Sequence, residues 1–146
     1  MTESLLSPVI VGRDDLVALG ARRLDEVKSG HGQLLLLSGE AGIGKTRLLS
    51  AVEQLARERG FRLARAEVAP QDHDVMAASL LDLGRSMRRD QAFGTMGRDL
   101  LAIAEARLNA PVARRRDLVK ELVDLLAAST VPTGLLFEDL QWADDL

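Results

Sequence analysis

A chain of 146 residues can bury a real core in one domain, and 47% hydrophobic with 28% charged residues is an ordinary balance for a water-soluble globular protein. The lack of cysteine excludes disulfides and thiolate chemistry, and two isolated histidines, His31 and His73, do not make a zinc site. A formal charge of −3 exerts no general pull on nucleic acid, so no direct nucleic-acid binding is expected.

Residues 1–8 read as a flexible leader, without the basic start and long apolar core of a signal peptide. No run approaches the roughly 18 apolar residues of a membrane span. The expected location is therefore the cytoplasm, with no membrane partner. Val9-Ile10-Val11 is a short apolar segment closed by a turn at Gly12-Arg13. Residues 14–28 predict a helix, with Asp14 and Asp15 in its first turn and Leu16, Leu19, Leu24 and Val27 as its apolar stripe. Ser29-Gly30-His31-Gly32 stops it, and residues 33–38, with Leu34-Leu35-Leu36-Leu37, predict a buried strand.

A helix is expected from Arg47 to a C-terminal stop at Gly60. Residues 61–68 alternate apolar and charged side chains, which predicts a second strand ended by Pro70. Residues 72–89 predict a helix with Val75, Met76, Leu80, Leu81, Leu83 and Met87 on its apolar face, followed by a loop over 91–97. Two further helices, 98–108 and 112–128, are broken at Asn109-Ala110-Pro111. The second is expected to turn Leu118, Val119, Leu122, Leu125 and Leu126 inward. Residues 130–134 have turn chemistry, and Leu135-Leu136-Phe137 is a strand that delivers Glu138 and Asp139 at its end.

Between the first strand and the next helix stands Gly39-Glu40-Ala41-Gly42-Ile43-Gly44-Lys45-Thr46, a full match to the phosphate-binding loop called Walker A. Glycines let the backbone turn its N–H groups onto anionic oxygens, and the following helix points its positive end at the same place. In such a loop Lys45 reaches the β- and γ-phosphates and the Thr46 hydroxyl is a Mg²⁺ ligand. The adjacent carboxylates Glu138 and Asp139 fit a Walker B element, in which one holds Mg²⁺ and the other orients the attacking water. A pair of solvent-facing charges at a strand end is the alternative.

Three blocks together, around Val11-Gly12-Arg13-Asp14, the phosphate loop, and Phe137-Glu138-Asp139-Leu140-Gln141-Trp142-Ala143-Asp144, resemble the AAA-type ATPase domain of the STAND signalling NTPases. The likeness is greatest to the large ATP-binding regulators of the LuxR family, and it covers residues 9–146. The resemblance implies a three-layer α/β/α P-loop NTPase with a parallel sheet, binding ATP or ADP with Mg²⁺. It places Gly12 and Arg13 beside the adenine, Glu138 at the metal-binding position, and Asp139 at the water-orienting position. The cofactor-binding set is then Gly12, Arg13 and residues 39–46. The catalytic set is Lys45 and Asp139, and the metal set Thr46, Glu138 and Asp139. Many relatives carry Asp where this chain has Glu138, and His where it has Gln141.

The usual sheet order of that superfamily is five-one-four-three-two, so the strand that follows Walker B separates the two Walker strands. The chain reads as the N-terminal part of such a domain, with that strand, the helical lid and the effector domains of a longer protein to be supplied beyond it. Exposed sheet edges would then favour self-association. The expected behaviour is ATP binding without efficient hydrolysis, in a regulatory switch. A P-loop small-molecule kinase and a non-catalytic interaction fragment are the competing readings. A GTPase is disfavoured by the lack of an Asn-Lys-x-Asp motif.

Overall fold

Two helices, α1 (Asp14–Lys28) and α2 (Lys45–Glu58), build the first of two compact units, Met1–Gly60. The computed structural model describes residues 12–67, 78–108 and 115–139. The expected leader, the apolar segment 9–11, Pro70, His73, the first turns of the helix predicted from 72, the break at 109–111, and Gln141 and Trp142 lie outside the described residues.

Helix α1 starts and stops where local chemistry directs it. The Arg13 carbonyl accepts from the N–H groups of Leu16 and Val17, and Asp14 and Asp15 sit at the positive end of the dipole. At the other end Gly30 takes φ +91°, its N–H bonding Val27 while the His31 N–H bonds Glu26. Those two bonds make a Schellman stop. Gly60, at φ +82°, follows the C-cap Arg59 of α2, and its N–H bonds the Arg57 carbonyl at 3.0 Å.

Where α1 meets α2 the contact is close. A Cβ on Gly20 would lie 2.7 Å from a Val52 methyl carbon, so only glycine fits. Of the expected stripe, Leu19, Leu24 and Val27 are half-buried, joined by Val17, Gly20 and Ala21, whereas Leu16 is 45% exposed. Asp25 and Arg59 tie the helices with a 3.0 Å ion pair near the surface.

Residues 33–38 do not form the predicted strand. Leu34 is 90% and Leu36 70% exposed, while Leu35 and Leu37 are half-buried. The alternation is that of a strand, but a strand needs a hydrogen-bonded neighbour, and the described strands pair with each other instead.

The second unit, Phe61–Leu146, holds β1 (Arg62–Glu67), α3 (Ala78–Arg89), a 3₁₀ turn Gln91–Phe93, α4 (Met96–Leu108), α5 (Arg115–Ala127) and β2 (Thr133–Glu138). Strands β1 and β2 run parallel, in register from Arg62 opposite Thr133 to Glu67 opposite Glu138. A parallel pair requires a long crossover, which the three helices supply. Ala64 and Ala66 of β1 are buried with Leu83, Met87, Phe93 and Leu100. Fully burying a side chain such as Leu83, Met87 or Leu100 stabilises by about 2 kcal/mol each.

Three sequence expectations change here. Helix α4 begins within the loop predicted over 91–97, because Gly97 must press against α3: a Cβ there would lie 2.4 Å from the Arg88 nitrogen. Thr133 and Gly134, read as turn residues, belong to β2, where a Cβ on Gly134 would meet a Leu63 methyl at 2.6 Å. Val119 is 53% exposed, since α5 packs through Leu122, Leu125 and Leu126 one turn later.

Arg62 anchors the start of β1. It donates to the Ala92 carbonyl at 2.8 Å and to the hydroxyls of Ser129 and Thr133, and it lies 5.2 Å over the Phe93 ring. Those partners are all structural.

Candidate functional site

The glycines of residues 39–46 take conformations that a side chain would resist. Gly39 has φ +155°, Gly42 φ +78° and Gly44 φ +92°, the last as the left-handed N-cap of α2. No side chain caps the helix and its first turn holds no acid. Its leading N–H groups thus remain available to an external anion, at the positive end of the dipole.

Lys45 is the first residue of α2, yet its side chain turns back onto the loop. Its Nζ donates to the Gly39 carbonyl at 2.6 Å and to the Glu40 carbonyl at 2.8 Å. The ammonium is therefore held over the loop's own backbone. Glu40 and Ala41 are exposed, a Cβ on Gly42 would meet nothing within 4 Å, and Ile43 is half-exposed with its N–H 3.4 Å from the Glu40 carbonyl. Thr46, in the first turn of α2, is exposed. Gly12, at φ +75°, is exposed too, and turns the chain into Arg13. The Arg13 guanidinium lies on the loop: its Nη2 donates to the Ile43 carbonyl, and three of its atoms stand 3.6–3.9 Å from where a Gly44 Cβ would be.

In the second unit, Glu138 is the last residue of β2 and Asp139 follows it with φ +58°. Aspartate is one of the few residues that tolerate this left-handed conformation, and it ends the strand there. Glu138 is half-buried and ion-paired with Arg65 of β1, while Asp139 is exposed. Arg65 also borders an open cleft of about 300 Å³, with Glu67, Asp82, Ser86 and Arg89. The alternation of the strand placed a cation at position 65, but its partner becomes visible only once the parallel register is known. Among the described residues no group of three or more His, Asp or Glu could hold a metal.

The donor set fits a nucleotide phosphate with Mg²⁺. The loop offers backbone N–H groups, an ammonium and an uncapped helix start, all suited to phosphate oxygens. Mg²⁺ is usually held by one or two carboxylates together with phosphate and water, so the Thr46 hydroxyl and a single carboxylate suit it.

The family model for the AAA ATPase domain matches residues 9–146, so the chain belongs to that family. The match spans both compact units. Members of the family generally bind ATP or ADP with Mg²⁺. No curated protein and no solved structure matches the chain. Among the described residues, no helix is long and apolar enough to cross a membrane.

Proposed function

We propose that the chain is the ATP-binding part of a regulatory switch of the STAND kind, as in the large ATP-binding regulators of the LuxR family, working in the cytoplasm. The observation that carries the nucleotide reading is Lys45. Its ammonium is held over a glycine loop, at an uncapped helix start, by the Gly39 and Glu40 carbonyls. Phosphate oxygens would replace those carbonyls as its partners. Charge-assisted bonds to phosphate are stronger than bonds to neutral carbonyls, so the exchange favours binding.

Residues 39–46 hold the phosphates, Gly12 and Arg13 lie beside the adenine, and adenine is preferred over guanine. Thr46, with Glu138 and Asp139, would hold Mg²⁺, which would supply positive charge to the phosphates when bound. Asp139 orients the attacking water and Lys45 stabilises the γ-phosphate charge. Regulation then follows from nucleotide state, with ATP and ADP biasing a lid and effector domains differently. A strand laid along 33–38 would cover the exposed Leu34 and Leu36.

Binding needs mainly the loop and helix start, both in the first unit, whereas hydrolysis also needs the carboxylates of the second. Misplacement by about 1 Å can cost roughly a hundredfold in rate. The chain is therefore a binder before it is a catalyst. Titration with a fluorescent ATP analogue tests the assignment: Lys45→Ala should weaken binding by several-fold to about a hundredfold, the worth of a charge-assisted bond. Equal affinity in both proteins would refute it. In the same samples GTP should compete poorly, and phosphate release without added acceptor should run well below about 1 s⁻¹.

A further inference from the structure

Arg13 occupies a place that neither the loop motif nor the carboxylate pair accounts for. Its backbone is fixed as the N-cap of α1, where its carbonyl accepts from Leu16 and Val17 at 3.1 Å each. Its side chain crosses to the start of α2, where Nη2 donates to the Ile43 carbonyl and the guanidinium lies over Gly44. Both ends of this link are firm, because α1 and α2 pack through Gly20 against Val52 and are tied by Asp25 and Arg59.

We propose that Arg13 is a positioning residue for the phosphate loop: it clamps the Ile43–Gly44 peptide so that the loop is preset for a polyphosphate before the ligand arrives. The inference rests on the nucleotide-binding reading above, and replaces the adenine-side role there with one on the loop itself. A trans peptide is planar, with its carbonyl and N–H pointing opposite ways. Holding the Ile43 carbonyl toward Arg13 therefore fixes the direction of the Gly44 N–H, a member of the anion-binding nest. A peptide flip at this position would present a carbonyl oxygen to the phosphates instead. Glycine at 44, free to rotate and without a Cβ, needs such an external restraint, and the same missing Cβ lets the guanidinium lie against the backbone. The second cation also raises the positive potential at a helix start already lacking any acid in its first turn.

A clamp on the loop and a contact to the base differ in what they recognise. The experiment compares ATP with inorganic tripolyphosphate, which has phosphates and no base, by calorimetric titration of the wild type, Arg13→Ala and Arg13→Lys. Arg13→Ala should weaken both ligands by the same factor, roughly three- to thirtyfold. Arg13→Lys, which keeps a donor for the Ile43 carbonyl, should recover most of that loss on both. Amide exchange at Gly44 and Lys45 in the ligand-free protein should quicken in Arg13→Ala while the middle of α1 keeps its protection. A loss confined to ATP would make Arg13 a base contact and overturn the inference, as would unchanged affinity for both ligands. A wild-type chain that binds neither ligand would instead refute the nucleotide-binding reading, and the clamp with it.

Discussion

Glu138 is the residue whose role the geometry constrains most. Its carboxylate is paired with Arg65 across the parallel strands and half-buried, whereas Asp139 beside it is exposed. If Glu138 holds Mg²⁺ as proposed, it gives up the pairing with Arg65 first, which raises the Mg²⁺ concentration that binding needs. Arg65→Ala should therefore lower the Mg²⁺ concentration for half-maximal ATP binding, read by titration with metal at fixed nucleotide. It should also lower the stability of the metal-free protein by about 1 kcal/mol, as for a partly screened pair. Lost stability with an unchanged metal requirement would make Glu138 a structural anion and leave the metal to Asp139.

Helices α3 and α4 are held together by glycine as much as by their apolar side chains. Gly97 sets α4 against the backbone of Met87 and Arg88, and a Cβ on Gly84 would lie 2.8 Å from Leu101. Alanine at 97 would gain about 1 kcal/mol of helix propensity. It would also force rigid backbone apart, a strain of typically 1–3 kcal/mol that also loosens packing around Met87. Gly97→Ala should thus lower the urea midpoint, although alanine normally favours a helix. Gly32→Ala, at a site with nothing within 4 Å of the added carbon, should leave it nearly unchanged. A higher midpoint for Gly97→Ala would show that α4 can shift away at little cost.

Across the molecule, the feature most exposed to solvent against its chemistry is the stretch before the phosphate loop. Leu34 and Leu36 stand outward with no strand beside them among the described residues. Apolar side chains next to unpaired backbone are a template for another strand. The chain should therefore self-associate at tens of micromolar, and replacing both leucines by serine should return it to monomer by sedimentation equilibrium. Nucleotide affinity should survive that double change, since both side chains stand largely in solvent. Monomeric wild-type protein at that concentration would show that the segment is covered by its own chain.

Much of the candidate site was legible because its chemistry is local. The spacing of residues 39–46 is a backbone requirement met by glycines at positive φ, and the bounds of α1 follow from acids at one end and Gly30 at the other. These depend on neighbours a few positions away, which any reading of the chain includes. Pairing and close approach depend on residues far along it. Residues 33–38 have a strand's alternation, but only a neighbouring edge makes a strand, and β1 and β2 use theirs on each other. Gly134 looks like turn chemistry until Leu63 is found against it, and Gly97 looks like loop until Arg88 is. Likewise the outward turn of Leu16 and Val119, the Arg65–Glu138 pair and the reach of Arg13 to Ile43 follow from which surfaces meet. Local backbone chemistry, carried by the sequence, set the loop and the helix ends; the tertiary structure chose their partners, because contact free energy depends on distances between groups that the order of residues does not contain.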